Sequence, residues 1–108
     1  MGVTKTQNFS DSQNEMATKL KALSHPARIA IVEYLISVPG CICNDLVAEL
    51  SLAQPTVSQH LKELKNAGII QGEIEGKAIC YCINKENLKK IQAFIERISS
   101  NIPETKCC

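Results

Sequence analysis

The residues with the clearest chemical potential are cysteines, of which this chain of 108 residues has six. They stand in three close pairs: Cys41 with Cys43, Cys80 with Cys82, and Cys107 with Cys108. In a secreted chain this number predicts disulfides, but the polar N-terminus lacks the apolar core of an export signal. We therefore expect a cytoplasmic protein whose cysteines are thiols. Such groups can bind soft metal ions or become oxidised.

The spacing of the cysteines excludes several common sites. The two C-x-x-C pairs of a typical zinc site are absent, and so is the single C-x-x-C of redox enzymes. Neither Cys41 nor Cys43 is followed, after five residues, by the arginine of a phosphatase-type loop. A thiol enzyme also needs a nearby base and an anion site, but no histidine neighbours a cysteine in sequence and no glycine-rich loop is present. The protein is therefore not expected to be an enzyme.

A second group of candidate residues lies on a helix predicted between Gln54 and Lys65. Its buried stripe consists of three apolar residues at helical spacing: Val57, Leu61 and Leu64. Its opposite side carries short or flexible polar residues: Gln54, Thr56, Ser58 and Gln59. Side chains of this kind can reach base edges in the major groove of DNA. Lys62, Lys65 and the later Lys77 would contact phosphates, which position a protein without reading the DNA sequence.

Two helices are predicted before the first cysteine pair. The first begins at about Ser12 and has an apolar stripe at Met16, Leu20 and Leu23. Ser24 is the expected N-cap of the second, and Pro26 stands in its first turn. The buried stripe of the second helix is predicted to be Ile29, Val32 and either Leu35 or Ile36. Pro39-Gly40 ends it.

The pattern then predicts a helix-turn-helix followed by a hairpin. A short third helix is expected over Cys41–Leu50, and a turn over 51–53 leads into the polar helix. Gly68 is expected to end that helix in the left-handed conformation. The period then changes to that of two strands, Ile70–Glu75 and Lys77–Ile83, which form a wing directly after the polar helix.

The remaining residues complete one domain. Asn84 is expected to cap a last helix with an apolar stripe at Leu88, Ile91, Ile95 and Ile98. Hydrophobic residues make up 44% of the chain and the net charge is +1, which is ordinary for a globular protein and shows no large basic field. We expect a flexible arm over 1–11, a domain over 12–99 and a flexible, cysteine-containing tail over 100–108. The predicted fold is mainly α with a small β-hairpin, a winged helix-turn-helix.

Four segments carry a family resemblance: LKALSHPARIAIVEYL, CICNDLVAEL, LAQPTVSQHLKELKNAGII and GEIEGKAICYCI. Together they resemble the ArsR (ArsR/SmtB) family of winged-helix metal-sensing transcriptional repressors, from about Leu20 to Asn84. The resemblance implies a homodimer, joined through its first and last helices, that binds an operator in double-stranded DNA and is released by an inducer. The apolar stripes of those two helices agree with this, although a monomer core would explain them too. No membrane or RNA partner is expected.

The resemblance also implies a role for Cys41 and Cys43, because thiol-type sensors of the family have a C-x-C at the start of the helix before the recognition helix. In a regular helix successive residues are about 100° apart, so residues i and i+2 point to nearly opposite sides. In an extended segment they point to the same side. A metal held by both thiolates would therefore favour an unwound helix start, and could tilt the polar helix out of the DNA groove.

Thiolates select thiophilic ions, so As(III) is the leading inducer, with Sb(III), Cd(II), Pb(II) and Zn(II) as further candidates. As(III) takes three thiolates, of which Cys41 and Cys43 supply two. Arsenic-sensing relatives often have a third cysteine a few residues later, where this chain has Asp45, Leu46 and Val47. The third thiolate could come from Cys107 or Cys108, of the same subunit or its partner; the alternative is that these two residues are only a mobile, oxidisable terminus.

The other metal-ligand candidates are weaker. The family's Asp and His site on the last helix is not expected, because residues 85–102 contain neither type. The two histidines, His25 and His60, are predicted to be structural or on the surface. Cys80 and Cys82 share one side of the second strand, where they could be small apolar fillers, a chelating pair or an oxidisable pair.

Other functions stay open at this point. A repressor on the same fold could sense oxidants or sulfur species through two thiols, although the carboxylate of Asp45 would disfavour a thiolate nearby. A winged helix could also bind protein rather than DNA, and spatial neighbours could still build a thiol enzyme.

Overall fold

The computed structural model describes residues 6–37, 50–73 and 80–104 of the chain. Within these ranges the elements are a 3-10 turn (Thr6–Asn8), α1 (Asp11–Leu23), α2 (Pro26–Ser37), α3 (Gln54–Asn66), β1 (Ile70–Glu73), β2 (Cys80–Ile83) and α4 (Lys85–Ser100). The predicted fold, mainly α with a hairpin directly after the polar helix, is confirmed. The short helix predicted over Cys41–Leu50 lies outside the described residues except for Leu50. No described helix has both the length and the apolar composition of a membrane span.

The start of α1 is determined by a capping box. The hydroxyl of Ser10 accepts a hydrogen bond from the backbone N–H of Gln13 at 3.1 Å. In return, the backbone N–H of Ser10 donates to the side-chain oxygen of Gln13 at 3.0 Å. These two bonds satisfy donors that the first turn of a helix leaves without an intrahelical partner. The helix accordingly begins at Asp11, next to the predicted start at Ser12.

The N-cap of α2 differs from the prediction. Ser24 belongs to the end of α1, where its hydroxyl donates to the carbonyl of Lys21 at 2.7 Å. His25 caps α2 instead, because its Nδ1 accepts from the backbone N–H of Ala27 at 3.0 Å. Its carbonyl also accepts from the N–H of Ile29 at 3.0 Å.

The buried side of α2 agrees with the prediction only in part, at Leu35 and at Val32, which packs against the core. Ile31 and Leu35 are buried, whereas Ile29 and Ile36 are 48% and 68% exposed. Residues 29–32 and 34–36 are almost all apolar. Hydrophobic periodicity in such a run does not define one face, so the packing of the neighbouring helices decides which residues enter the core.

The core lies where α1, α2, α3 and the hairpin meet. Its buried residues are Ala22, Ile31, Leu35, Val57, Leu61, Leu64, Ile69, Ile70 and Tyr81. Leu50 and Leu52 pack against it and flank Ser51, whose φ of 53° makes the predicted turn before α3. Within the described residues β1 and β2 pair antiparallel, with Ile70 opposite Ile83 and Gly72 opposite Tyr81. The tip of the predicted wing, including Lys77, lies outside the described residues.

The C-terminus of α3 is joined to the start of α4 through Gly68. Gly68 has a φ of +79°, as predicted for a left-handed helix end. Its carbonyl accepts a hydrogen bond from Nδ2 of Asn87 at 2.7 Å. The backbone N–H of Asn84 donates to the carbonyl of Ile69 at 2.9 Å, and its side chain caps α4 by accepting from the N–H of Asn87. Two short connections therefore hold α4 against the end of α3.

We expect Gly68→Ala to destabilise the protein by about 2 kcal/mol, measured as the free energy of unfolding in urea. The left-handed conformation costs a non-glycine residue about 1–2 kcal/mol. In addition, a Cβ at this position would stand 2.6 Å from Nδ2 of Asn87, which must then move and lose its hydrogen bond to Gly68.

Ala67→Gly, one residue earlier and in the right-handed conformation, is the matched control. It removes a Cβ that is not strained and should cost no more than about 1 kcal/mol. Equal unfolding free energies for Gly68→Ala and the wild type would contradict the account of this junction.

Candidate functional site

The candidate site is built on α3, whose two sides have opposite character. Val57, Leu61 and Leu64 are at most 3% exposed and belong to the core cluster. The helix begins after Ala53, which makes no side-chain capping bond, and Pro55 stands in its first turn. Proline fits there because the first helical N–H groups have no intrahelical partner. Burial of the apolar side thus determines which side chains of α3 face solvent.

The side chains predicted to contact DNA lie on the outer side of this helix. Five of the predicted residues are exposed: Gln54, Thr56, Gln59, Lys62 and Lys65. Ser58 is half-buried, and Lys77 lies outside the described residues. The structure therefore brings six of the seven predicted residues together on one helix. Their contact with DNA stays a prediction.

One acidic residue, Glu63, interrupts this otherwise polar and basic helix. Its carboxylate accepts a hydrogen bond from the side-chain amide of Gln59, one turn earlier, at 3.1 Å. Pairs at this i, i+4 spacing stabilise a helix modestly. The bond also engages Glu63 with a neighbour on α3, so the carboxylate is oriented along the helix.

Sequence reasoning did not predict the role of His60, a polar residue on the buried side of α3. His60 is only 9% exposed, and its Nδ1 accepts a hydrogen bond from Nε of Arg28 at 3.1 Å. The rings of His60 and His25 are tilted by 51° with centroids 4.5 Å apart. His60 has helical spacing to Val57 and Leu64, so its burial could have been predicted. No spacing in the sequence predicts that Arg28 and His25 meet it.

The pKa of His60 is lowered from its usual value. Burial has the largest effect, since it disfavours the charged imidazolium, and the electrostatic interactions of His60 with His25 and Arg28 act in the same direction. A neutral ring is also what the hydrogen bond needs, because Nδ1 can accept from Arg28 only when it carries no proton. His60 is therefore a neutral acceptor in the folded protein near pH 7.

The cysteines predicted to bind metal, Cys41, Cys43, Cys107 and Cys108, all lie outside the described residues. Of the other pair, Cys80 begins β2, and Cys82 is half-buried with its Sγ 3.9 Å from the side-chain nitrogen of Gln71. Over the ranges 6–37, 50–73 and 80–104, no group of three or more His, Cys, Asp or Glu residues could hold a metal ion. The predicted thiolate ligands stay a prediction.

Comparison with known proteins identifies the family. The family model described as "Bacterial regulatory protein, arsR family" matches residues 25–71. The arsenical resistance operon repressor of Staphylococcus xylosus is 31% identical over 96 residues, which cover 89% of this chain and 91% of the relative. The chain belongs to the ArsR family. The matched family and this relative are transcriptional regulators rather than enzymes, in agreement with the prediction for this chain.

Two further relatives extend the comparison. A cadmium resistance transcriptional regulatory protein CadC homolog from Staphylococcus aureus is 34% identical over 87 residues, covering 77% of this chain and 70% of the relative. The HTH-type transcriptional repressor SmtB of Mycobacterium tuberculosis is 44% identical over 72 residues. The alignment covers 67% of this ArsR-family chain but only 53% of that relative, so the chain spans about half of its length.

Solved structures agree on the fold. An ArsR family transcriptional regulator, RHA00566, superposes with a TM-score of 0.73 at 20% identity, covering 85% of this chain and 94% of the other. The transcriptional repressor BigR from Xylella fastidiosa superposes with a TM-score of 0.60 at 27% identity, covering 94% and 100%. The arrangement of α3 and the hairpin in this ArsR-family chain is thus the winged helix-turn-helix of its relatives.

Proposed function

We propose that this chain is a homodimeric repressor that binds an operator with α3 and the hairpin and releases it when a thiophilic metal or metalloid binds. The main support is α3, with five polar or basic side chains exposed on one side and a core-packed apolar side opposite. Helices of this form enter the major groove with their N-terminal residues toward the base edges. Gln54 and Thr56 of the first turn, with Ser58 and Gln59 behind them, would read bases in this way.

The lysines of α3 supply the contacts to phosphate. Lys62 and Lys65 are exposed and stand toward the C-terminal end of the helix. The net charge of the chain is only +1, so affinity depends on where the cations stand rather than on their number. We propose the same role for Lys77 near the tip of the wing.

The homodimer is supported by α4. Its apolar side includes Ile95 and Ile98, 49% and 48% exposed, and none of its residues is buried. Leu88 and Ile91 pack on the core, so the apolar side of the helix is covered near its N-terminus and uncovered near its C-terminus. A groove of about 360 Å³ lies between this helix and α1, and Met16, Ala93 and Phe94 line it together with polar and charged side chains. A second copy packed against α1 and α4 would cover these residues.

The inducer is proposed from the donor set and from two relatives. Cys41, Cys43, Cys107 and Cys108 offer only sulfur, which suits thiophilic ions better than Mg²⁺ or Ca²⁺. The relatives that are 31% and 34% identical are named for arsenical and cadmium resistance. We propose As(III) as the inducer, bound by Cys41 and Cys43 with a third thiolate from Cys107 or Cys108, in the cytoplasm. Sb(III), Cd(II), Pb(II) and Zn(II) are the competing ions.

A route from the thiolates to DNA is supported by the residues just before α3. Leu50 and Leu52 pack against the core on either side of Ser51, and α3 begins at Gln54. The segment that carries Cys41 and Cys43 therefore continues into residues that support the start of α3. A metal that changes the conformation of this segment would shift those supports and with them the DNA-reading end of the helix.

We expect the double variant Cys41→Ser, Cys43→Ser to bind DNA as the wild type does but no longer to be released by arsenite. The sulfur ligands are lost, so the arsenite concentration for half release should rise at least about tenfold. The measurement is fluorescence anisotropy of labelled DNA from upstream of the protein's own gene, with reduced protein.

Cys82→Ser is the matched control, because it removes a cysteine outside the proposed ligand set and should keep the wild-type response. Undiminished release of the double variant by arsenite would exclude Cys41 and Cys43 as ligands. If mild peroxide releases the wild type with an intramolecular disulfide and arsenite does not, the protein senses oxidants instead.

We expect Lys62→Ala to weaken DNA binding about equally for operator and unrelated duplexes. The negative slope of log affinity against log salt concentration should become shallower by about 1–2 in a dimer. The reason is that each phosphate contact releases condensed counterions. The matched control is Lys89→Ala, an exposed lysine on α4. The same salt slope for Lys62→Ala and the wild type would contradict the proposed phosphate contact.

We expect Ile98→Asp to raise the dimer dissociation constant at least about tenfold in sedimentation equilibrium, because a charge placed in an apolar contact loses its hydration. Ile36→Asp is the matched control, since Ile36 is 68% exposed on α2 and outside the proposed interface. A wild type that is monomeric at every concentration would contradict the homodimer.

A further inference from the structure

The side chains of His25, Arg28 and His60, here called the histidine node, connect α3 to the two helices behind it. Nε of Arg28 donates to Nδ1 of His60 at 3.1 Å, while its Nη1 lies 3.5 Å from the carbonyl of Ala22, near the end of α1. The imidazole of His25 stacks at a tilt on that of His60. The node thus holds the middle of α3 to the end of α1 and the start of α2.

Both histidines act as acceptors through Nδ1. That of His60 accepts from Arg28, and that of His25 accepts from the backbone N–H of Ala27 at 3.0 Å, which caps α2. An imidazolium has two N–H donors and no acceptor. A proton on Nδ1 therefore breaks the bond that the ring makes, and on His60 it also sets a positive charge against a guanidinium that stays protonated.

The groups around His60 offer no compensation for such a charge. Arg28 on α2 and His25 just before it are both basic, and the carbonyl of Ala22 near the end of α1 accepts a hydrogen bond from Arg28. The strand β1, which also packs against α3, has no titratable side chain over 70–72. Burial, His25 and Arg28 all lower the pKa of His60, and among the described residues no carboxylate opposes them.

Resting on the proposed function, we infer that DNA binding by this chain is linked to protons through the histidine node. His60 is a positioning residue: in its neutral form it is held by Arg28 and sets α3 against α2, with the DNA-reading residues Ser58 and Gln59 next to it. Protonation of His60 breaks this connection, shifts α3 relative to α2 and weakens binding to the operator.

The direction of the effect follows from linkage. His60 has a lower pKa folded than unfolded, so between the two values the unfolded chain binds more protons. Its contribution to stability is thus complete above the usual histidine pKa and is lost as the pH falls from that value through the lowered pKa of the folded protein. DNA affinity should fall at lower pH, as the pH drops through the lowered pKa of His60 in the free folded protein, because only then does the folded chain take up the proton. A cation that simply approached phosphates would instead raise the affinity in acid, so the sign separates the two cases.

The test uses His60→Asn, because the side-chain oxygen of asparagine can accept from Arg28 in place of Nδ1 but does not titrate. DNA affinity is measured by anisotropy from about pH 8 to about pH 5.5 at constant ionic strength. We expect the wild type to lose affinity about tenfold in acid, the typical effect of one lost hydrogen bond to a charged group. His60→Asn should stay within about twofold.

The chain allows a strict control, because His25 and His60 are its only histidines. His25→Asn keeps an N-cap acceptor and the titrating His60, and should retain most of the acid loss. The double variant contains no histidine and should have a flat profile. Flat or rising wild-type affinity in acid, or an equal loss in the wild type and in His60→Asn, would overturn the inference.

A second measurement uses only the wild-type protein, so it does not depend on whether a variant folds. Binding linked to a proton is reciprocal, so DNA must lower the pKa of His60 further. The two imidazole Hε1 signals are followed by NMR against pH, in the free protein and in its complex with the DNA. An unchanged or raised pKa of His60 in the complex overturns the inference. Absence of DNA binding at pH 8 contradicts the proposed function itself, whereas binding at pH 8 without proton linkage contradicts only this inference.

Discussion

The burial of one side of α3 is the constraint on which the other features depend. Val57, Leu61 and Leu64, at most 3% exposed, share a core with Ile31 and Leu35 of α2. Each such side chain contributes about 1.5–3 kcal/mol relative to exposure, so the rotation of α3 about its axis is strongly determined. The polar side chains then face solvent together. The hairpin and α4 are positioned by the end of the same helix, through the contacts at Gly68.

One polar group interrupts this apolar contact. His60 occupies a position that its helical spacing assigns to the core, and its hydrogen bond to Arg28 avoids the cost of a buried, unsatisfied nitrogen. The bond forms only with a neutral ring, so the position of α3 depends on the protonation of His60. An apolar residue at this position would not make it depend on pH. The same helix therefore combines tight packing with a group whose state depends on solution conditions.

The apolar side of α4, the last helix of the domain, is only partly covered in the monomer. The apolar side of α4 begins on the core at Leu88 and Ile91 and continues into Ile95 and Ile98, which are about half exposed. A domain of this size buries a modest fraction of its surface. A second copy on this side would bring two α3 helices into one assembly, as a repressor of a two-fold symmetric operator requires.

Spacing and capping are local properties, so the amino-acid pattern alone predicted the order of the described elements, the hairpin after α3, the left-handed Gly68 and the Asn84 cap. It also determined the polar row from Gln54 to Lys65, since one apolar stripe defines both sides of a helix. It identified only part of the buried side of α2, because the apolar run has no single face; Leu35 is buried as predicted, whereas Ile29 is exposed and the buried Ile31 was not predicted. Only the tertiary structure brought Arg28 and His25 to His60, because contacts between residues distant in sequence depend on how helices pack and not on any local period.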